Sequence, residues 1–252
     1  MNLSAFLSSC QENLFGKEKR AKLALDYLVD ERGLSRASIG NFGIGYCSEN
    51  QKVPGEDTWS QPVKIGRENE NMKGKLVVPV YSEFGGLVAM LARSPEKDIK
   101  GWWNTKFDKA NHLFLFNLAR KHMFAEDKVY LVEGAMDAIV LRQEGLLNAC
   151  GMMGVGLGYR RIGLLKRYCN NVCLCFDSDA NNAGQKARDK SVFELSEFNF
   201  GSISIVNLPT GIDPDEYVLK NCLNEFLELE AKLSAKEIRQ IRKRHLQHTE
   251  NK

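Results

Sequence analysis

A chain of 252 residues with 43% hydrophobic and 27% charged side chains has the composition of a globular protein large enough to bury a real core. No stretch approaches the roughly 18 apolar residues of a membrane span, and the chain opens without a basic segment leading into a long apolar one, which argues against a membrane protein or a secretory leader. The net charge of +3 hides an asymmetry: residues 1–121 carry 18 Lys+Arg against 14 Asp+Glu (+4), residues 122–221 carry 10 against 13 (−3), and residues 222–252 carry 7 against 5 (+2).

The seven cysteines have no framework spacing. Cys173 and Cys175 fall in an apolar run and read as small hydrophobes. Reduced thiols of this kind fit a cytoplasmic setting. There is no Cys-x-x-Cys and no set of cysteines spaced for structural zinc, so no zinc is expected. No Gly-x-x-x-x-Gly-Lys-Ser/Thr is present, so no phosphate-loop motor is expected.

Residues 1–40 read as helical. Apolar positions from Ala21 to Val29 recur at helical spacing, Gly33 stops the helix, and 34–39 begins a short second one. Residues 41–46 read as a bent strand. Residues 48–73 are polar, contain Pro54 and Pro62, and read as a loop or insertion. Residues 75–81 and 87–93 form a predicted β-hairpin about a Gly85-Gly86 turn. Trp102 and Trp103 then offer either one core and one surface residue, or aromatic faces for bases of a single strand.

From residue 129 strands and helices alternate, which predicts a mainly parallel sheet flanked by helices. The predicted strands are 129–132, 147–151, 171–176 and 202–206. The predicted helices are 135–143, ended by Gly145, then 159–166 and 183–195. The glycine-rich run 151–158 lets backbone approach a ligand but does not fit the dinucleotide-binding pattern. Residues 222–246 read as one amphipathic helix with a basic end, offering an apolar stripe to a partner, and the last six residues as frayed.

Two of the strands end abruptly in acid: Val132 runs into Glu133-Gly134-Ala135-Met136-Asp137, and Phe176 into Asp177-Ser178-Asp179. The carboxyl ends of strands are where open α/β sheets place their sites. Crowded carboxylates need a proton or a cation between them, and an oxygen-only ligand set suits Mg²⁺ or Mn²⁺. A third acidic cluster, Asp213-Pro214-Asp215-Glu216, also reads as a helix start, with Asp213 as N-cap, Pro214 first in the helix and Glu216 completing a capping box.

Glu-Gly-x-x-Asp, Asp-x-Asp and Gly-x-Asp-Pro-Asp, in that order, resemble the Toprim domain shared by bacterial-type primases, topoisomerases and some nucleases. The wording is most similar to bacterial (DnaG-type) primases. Those also resemble this chain at Phe42-Gly43-Ile44-Gly45-Tyr46 and in the hairpin closed by Arg93. The resemblance covers roughly residues 21–220. It implies an α/β Toprim-like catalytic domain over 122–221, preceded by a smaller α+β primase subdomain over 1–121 and followed by the helix and tail of 222–252. It implies divalent-metal-dependent synthesis of short RNA primers on single-stranded DNA from nucleoside triphosphates. Glu133, Asp177 and Asp179 are then the catalytic metal ligands, with Asp137, Asp213 and Asp215 completing a second site. Arg93, Lys100, Asn104 and Lys109 are carried over as template and nucleotide contacts, although the segment between Asn104 and Lys109 is shorter than the family pattern and Lys100 is displaced by one position.

Primases of this family usually carry an N-terminal zinc domain, and none is expected with this chain. The expectation is therefore a minimal catalytic core of the primosome in the cytoplasm of a bacterium or a phage-infected host. A replicative helicase or a separate zinc-bearing protein would act with it in trans. The rival readings are a Toprim nuclease and a catalytically silent Toprim-fold scaffold.

Overall fold

The computed structural model describes residues 3–53, 71–96, 99, 101–154, 156–177 and 183–250. The chain divides into two compact units, Met1–Phe107 and Asp108–Lys252. Residues 108–121, expected with the N-terminal subdomain, and 222–252, expected as an appendage, both lie in the second unit.

The first unit begins with helices α1 (Leu3–Leu14), α2 (Lys19–Asp26) and α3 (Arg36–Asn41). A π-helical turn, Tyr27–Glu31, extends α2 through the predicted helical stretch. Gly33 then takes φ +61°, a left-handed conformation that ends the helix at little cost. Ser35 caps α3, accepting from Ser38 N at 3.0 Å. Residues 41–46 were expected as one bent strand, but Asn41 closes α3 and only Gly45–Cys47 is extended, as β1.

An antiparallel sheet follows, in the order β1-β2-β3-β4, with β2 at Lys75–Tyr81, β3 at Leu87–Arg93 and β4 at Trp103–Asn104. The predicted hairpin is present, its turn made possible by Gly85 at φ +88°. Helix α1 lies so close to β1 that a side chain at Gly45 would put its Cβ 2.6 Å from the Cys10 carbonyl carbon. The core here is Phe6, Cys10, Cys47, Met72, Val77, Met90 and Ala92, with Trp103 packed against it.

The second unit is built on a five-stranded sheet in the order β6-β5-β7-β8-β9. Strands β5 (Lys128–Val132), β6 (Ala149–Gly151), β7 (Asn171–Cys175) and β8 (Ser202–Val206) run parallel. They match the predicted strands, with β6 two residues shorter at its start. The helices are α4 (Phe116–Glu126), α5 (Ala135–Gln143), α6 (Gly158–Lys166), α7 (Ala183–Ser196) and α8 (Pro214–Lys220). Strands β5 and β7 are buried over four of five residues each, as expected for a parallel sheet covered on both faces. At the opposite edge from the acids, Asp127 holds the two strand starts together. Its Oδ1 accepts from Asn170 N at 2.7 Å and its Oδ2 from Asn171 Nδ2 at 3.0 Å.

The expected single helix over 222–246 is corrected. The segment folds as α9 (Leu223–Glu228), then β9 (Glu230–Lys232), then α10 (Ala235–Glu250). Strand β9 pairs antiparallel with β8 and closes that edge. Its anchor is Glu230, whose carboxylate accepts from Lys128 Nζ at 2.6 Å, Tyr130 Oη at 2.9 Å and Ser204 Oγ at 2.5 Å. Ser234 and Glu237 then form a reciprocal capping box that restarts the helix.

The stripe of α10 expected to be open to a partner is instead used inside the unit. Ile241 is buried in the core, His245 packs on the Phe193 ring of α7, and Arg244 reaches Asp189 at 3.0 Å. Helix α10 runs on to Glu250, past the point where fraying was expected. No described helix is long and apolar enough to cross a membrane.

Candidate metal centre and nucleotide-binding residues

Parallel pairing sets Val132 opposite Cys175. The residues that follow, Glu133 and the Phe176-Asp177 pair, therefore leave the same edge of the sheet from neighbouring strands. Both side chains are half-buried there. The next strand over, β8, leads by residues 207–213 into α8, so the third acidic cluster also starts from this edge.

The glycine of Glu-Gly-x-x-Asp has a physical reason. Asp137, at the third position of α5, accepts from Gly134 N at 3.1 Å and caps the helix from within. A Cβ at residue 134 would fall 2.3 Å from that accepting oxygen. A Cβ at Gly151, at the end of the adjacent strand β6, would fall 2.7 Å from Gly134 O. Two glycines thus let the turns after β5 and β6 close on one another and bring Glu133 to the edge.

Helix α8 starts as expected with Asp213 extended (φ −83°, ψ 157°) and Pro214 first in the helix. The capping box does not form. Asp213 makes no side-chain cap bond, and Glu216 pairs with Lys220 at 2.6 Å. Asp215 is 2% exposed and accepts from Glu216 N at 2.8 Å. Helices α5 and α8 pack together, which brings the elements bearing Asp137 and Asp215 side by side.

Among the described residues, no three His, Cys, Asp or Glu side chains close on one point that could hold a metal ion. Asp179, the expected companion of Asp177, lies outside the described residues, as does Lys100. The donor set at this edge is carboxylate only, which fits a hard divalent cation and not zinc.

The other expected contacts divide between the units. In the first, Arg93 ends β3 with its guanidinium between two aromatic faces, 5.1 Å from the Tyr27 ring and 5.9 Å from the Trp102 ring. Its Nε is buried with no hydrogen-bond partner among the described residues. The Tyr27 hydroxyl accepts from Arg32 Nε at 2.8 Å. Of the two tryptophans, Trp103 is thus the core residue and Trp102 the one stacked on a cation. Asn104, also half-buried, donates to Thr105 O at 3.0 Å.

In the second unit, Lys109 opens a 3₁₀ turn, Lys109–Asn111, capped by Asp108. It forms no ion pair among the described residues. Burial, and then the nearby Arg161 guanidinium, hold its ammonium pKa below the ordinary lysine value. The sequence pattern gave Arg161 no role at the site. Its spacing gave a signal: Leu157, Arg161 and Leu165 recur every four residues, and all three are fully buried. Burial pushes the Arg161 pKa down to about 10, against the opposing effect of Asp108.

A family model described as Toprim-like matches residues 130–218. The chain is 31% identical over 238 residues to a DNA primase of Campylobacter jejuni, an alignment spanning 87% of this chain and 38% of that protein. The chain thus spans under half the length of the curated relatives it matches. A crystal structure of the Aquifex aeolicus primase, comprising zinc binding and RNA polymerase domains, superposes with a TM-score of 0.73 at 22% identity. That match covers 92% of this chain and 60% of that one. A DnaG primase catalytic domain bound to ssDNA superposes with a TM-score of 0.72 at 24% identity, covering 92% of this chain and 78% of that one.

Proposed function

We propose that this chain, a homologue of the bacterial DNA primases carrying their Toprim-like domain, is a primase catalytic core. It would synthesise short RNA primers on single-stranded DNA from nucleoside triphosphates. The observation that carries the reading is the exit of Glu133 and Asp177 from one edge of adjacent parallel strands, inside the segment that matches the Toprim-like model.

Glu133, Asp177 and Asp179 are the proposed ligands of Mg²⁺ or Mn²⁺, with Asp137, Asp213 and Asp215 supporting a second ion. When bound, the metal offsets charge on the attacking 3′-oxygen and on the leaving pyrophosphate. The protein's own share of the work is positioning. Lys109 offers an unpaired ammonium to the triphosphate. Arg93 is held by Tyr27 and Trp102 for a backbone phosphate. Asn104 and Lys100 are proposed template contacts on the strength of the family resemblance alone.

With only +4 on residues 1–121, template binding should be weak and salt-sensitive, which favours delivery of the strand by a helicase or zinc-bearing partner. The test is incorporation of labelled ribonucleotides on an unprimed single strand in Mg²⁺. De novo primers are expected. Cleavage of the strand instead would identify a nuclease, and binding without either product a scaffold.

A further inference from the structure

Arg161 is the largest fully buried side chain among the described residues. A guanidinium in a leucine's place on a helix stripe costs several kcal/mol of desolvation unless hydrogen bonds compensate. Those bonds reach two separate segments. Nη1 donates to Gly156 O at 3.2 Å, in the glycine-rich loop, and Nη2 donates to Lys109 O. Next to it, Arg160 Nη1 donates to Asn111 Oδ1 at 2.9 Å. The first turn of α6 thus grips the 108–111 turn with two arginines, one buried and one at the surface. The planar fork of arginine can bridge two carbonyl groups at fixed geometry, which neither lysine nor an apolar residue can do.

We infer that Arg161 is a positioning residue: it locks the Lys109 turn to the glycine-rich loop, so that Lys109 presents its ammonium to the triphosphate. The inference rests on the proposed contact between Lys109 and the triphosphate. Arg161 itself stays off the substrate, because its side chain is fully buried and each terminal nitrogen already donates to a backbone carbonyl.

The experiment is a double-mutant cycle on the full chain in Mg²⁺, read by binding of a fluorescent, non-hydrolysable ribonucleoside triphosphate. Arg161→Met removes all donors, while Arg161→Gln keeps two N–H donors on a neutral arm. Lys109→Ala alone should weaken binding on the order of tenfold, the loss of one charge-assisted contact. Arg161→Met should weaken it comparably when Lys109 is present, and by no more than about twofold in the Lys109→Ala background. Arg161→Gln should fall between Met and wild type in the first background and be neutral in the second. Equal losses in both backgrounds would overturn the inference and leave Arg161 a general structural residue. Undiminished binding by Lys109→Ala would overturn the Lys109 contact itself, and the positioning role with it. Urea unfolding of each variant checks the fold. If the Met variant does not fold, the same comparison made with Gln decides.

Discussion

Asp137 accepts the backbone N–H of Gly134 at 3.1 Å, and no other residue type fits at 134 without displacing that carboxylate. Gly134→Ala would therefore swing Asp137 off its cap rather than move the backbone. The expected cost is about 1 kcal/mol, that of a lost N-cap. Gly151→Ala meets the Gly134 carbonyl instead, so backbone must shift, and the cost rises to about 1–3 kcal/mol. Denaturant unfolding of the two variants should rank them in that order. Gly134→Ala should lose more primer synthesis than its stability loss explains, because it moves a proposed metal-site residue.

Glu133→Gln and Asp177→Asn each remove a proposed ligand charge at nearly constant volume. Both should abolish primer synthesis with melting temperatures close to wild type in metal-free buffer. Mg²⁺ or Mn²⁺ should raise the melting temperature of the wild type by mass action and do so less in either variant. A wild-type melting curve that ignores both ions would remove the metal centre from the proposal.

Lys109 should give up its proton earlier than an ordinary lysine, because burial and the Arg161 guanidinium disfavour its charged form. Triphosphate affinity should thus decline on the alkaline side before the ordinary lysine range is reached. Lys109→Arg keeps a cation at every accessible pH. Its affinity should remain flat over the interval in which the wild type declines, and superimposable pH profiles would contradict the role of Lys109.

Glu230 pins β9 to the sheet. Burial alone would push its carboxyl up, but hydrogen bonds from Lys128, Ser204 and Tyr130 together bring it below the ordinary value. A carboxyl depressed on folding adds stability above its unfolded pKa and loses it as pH falls through the folded one. Glu230→Gln should cost about 2 kcal/mol at neutral pH, since it leaves Lys128 without its charge partner in a partly buried site. The deficit should persist through mildly acid solution and shrink only below the ordinary carboxylate range, where the wild type also loses the charge. Urea titrations at neutral and acid pH measure both.

Arg93→Ala and Trp102→Ala should each weaken binding to single-stranded DNA in low salt, and the slope of log affinity against log salt should fall only for Arg93→Ala, which alone removes a cation. Equal loss of binding and of melting temperature in both would make the stack of Tyr27, Arg93 and Trp102 structural.

The sequence by itself determined the second unit's alternation of strands and helices, from β5 through β8, within two residues at every end. Buried parallel strands are short, continuous apolar runs, and helix α5 ends at Gly145, so both signals are local. It also determined which acids follow which strands. Tertiary structure decided three things that local pattern does not carry. Residues 230–232 became a strand because the open edge of β8 and the group of Lys128, Tyr130 and Ser204 outweigh a helical periodicity that is intact in the sequence. Trp102 and Trp103 were separated by the pairing of β4, which turns one to the core and leaves the other over Arg93. Arg161 became an interior tie because its partners are backbone carbonyls of Lys109 and Gly156, one of them 52 residues away, and a carbonyl leaves no mark in the side-chain pattern.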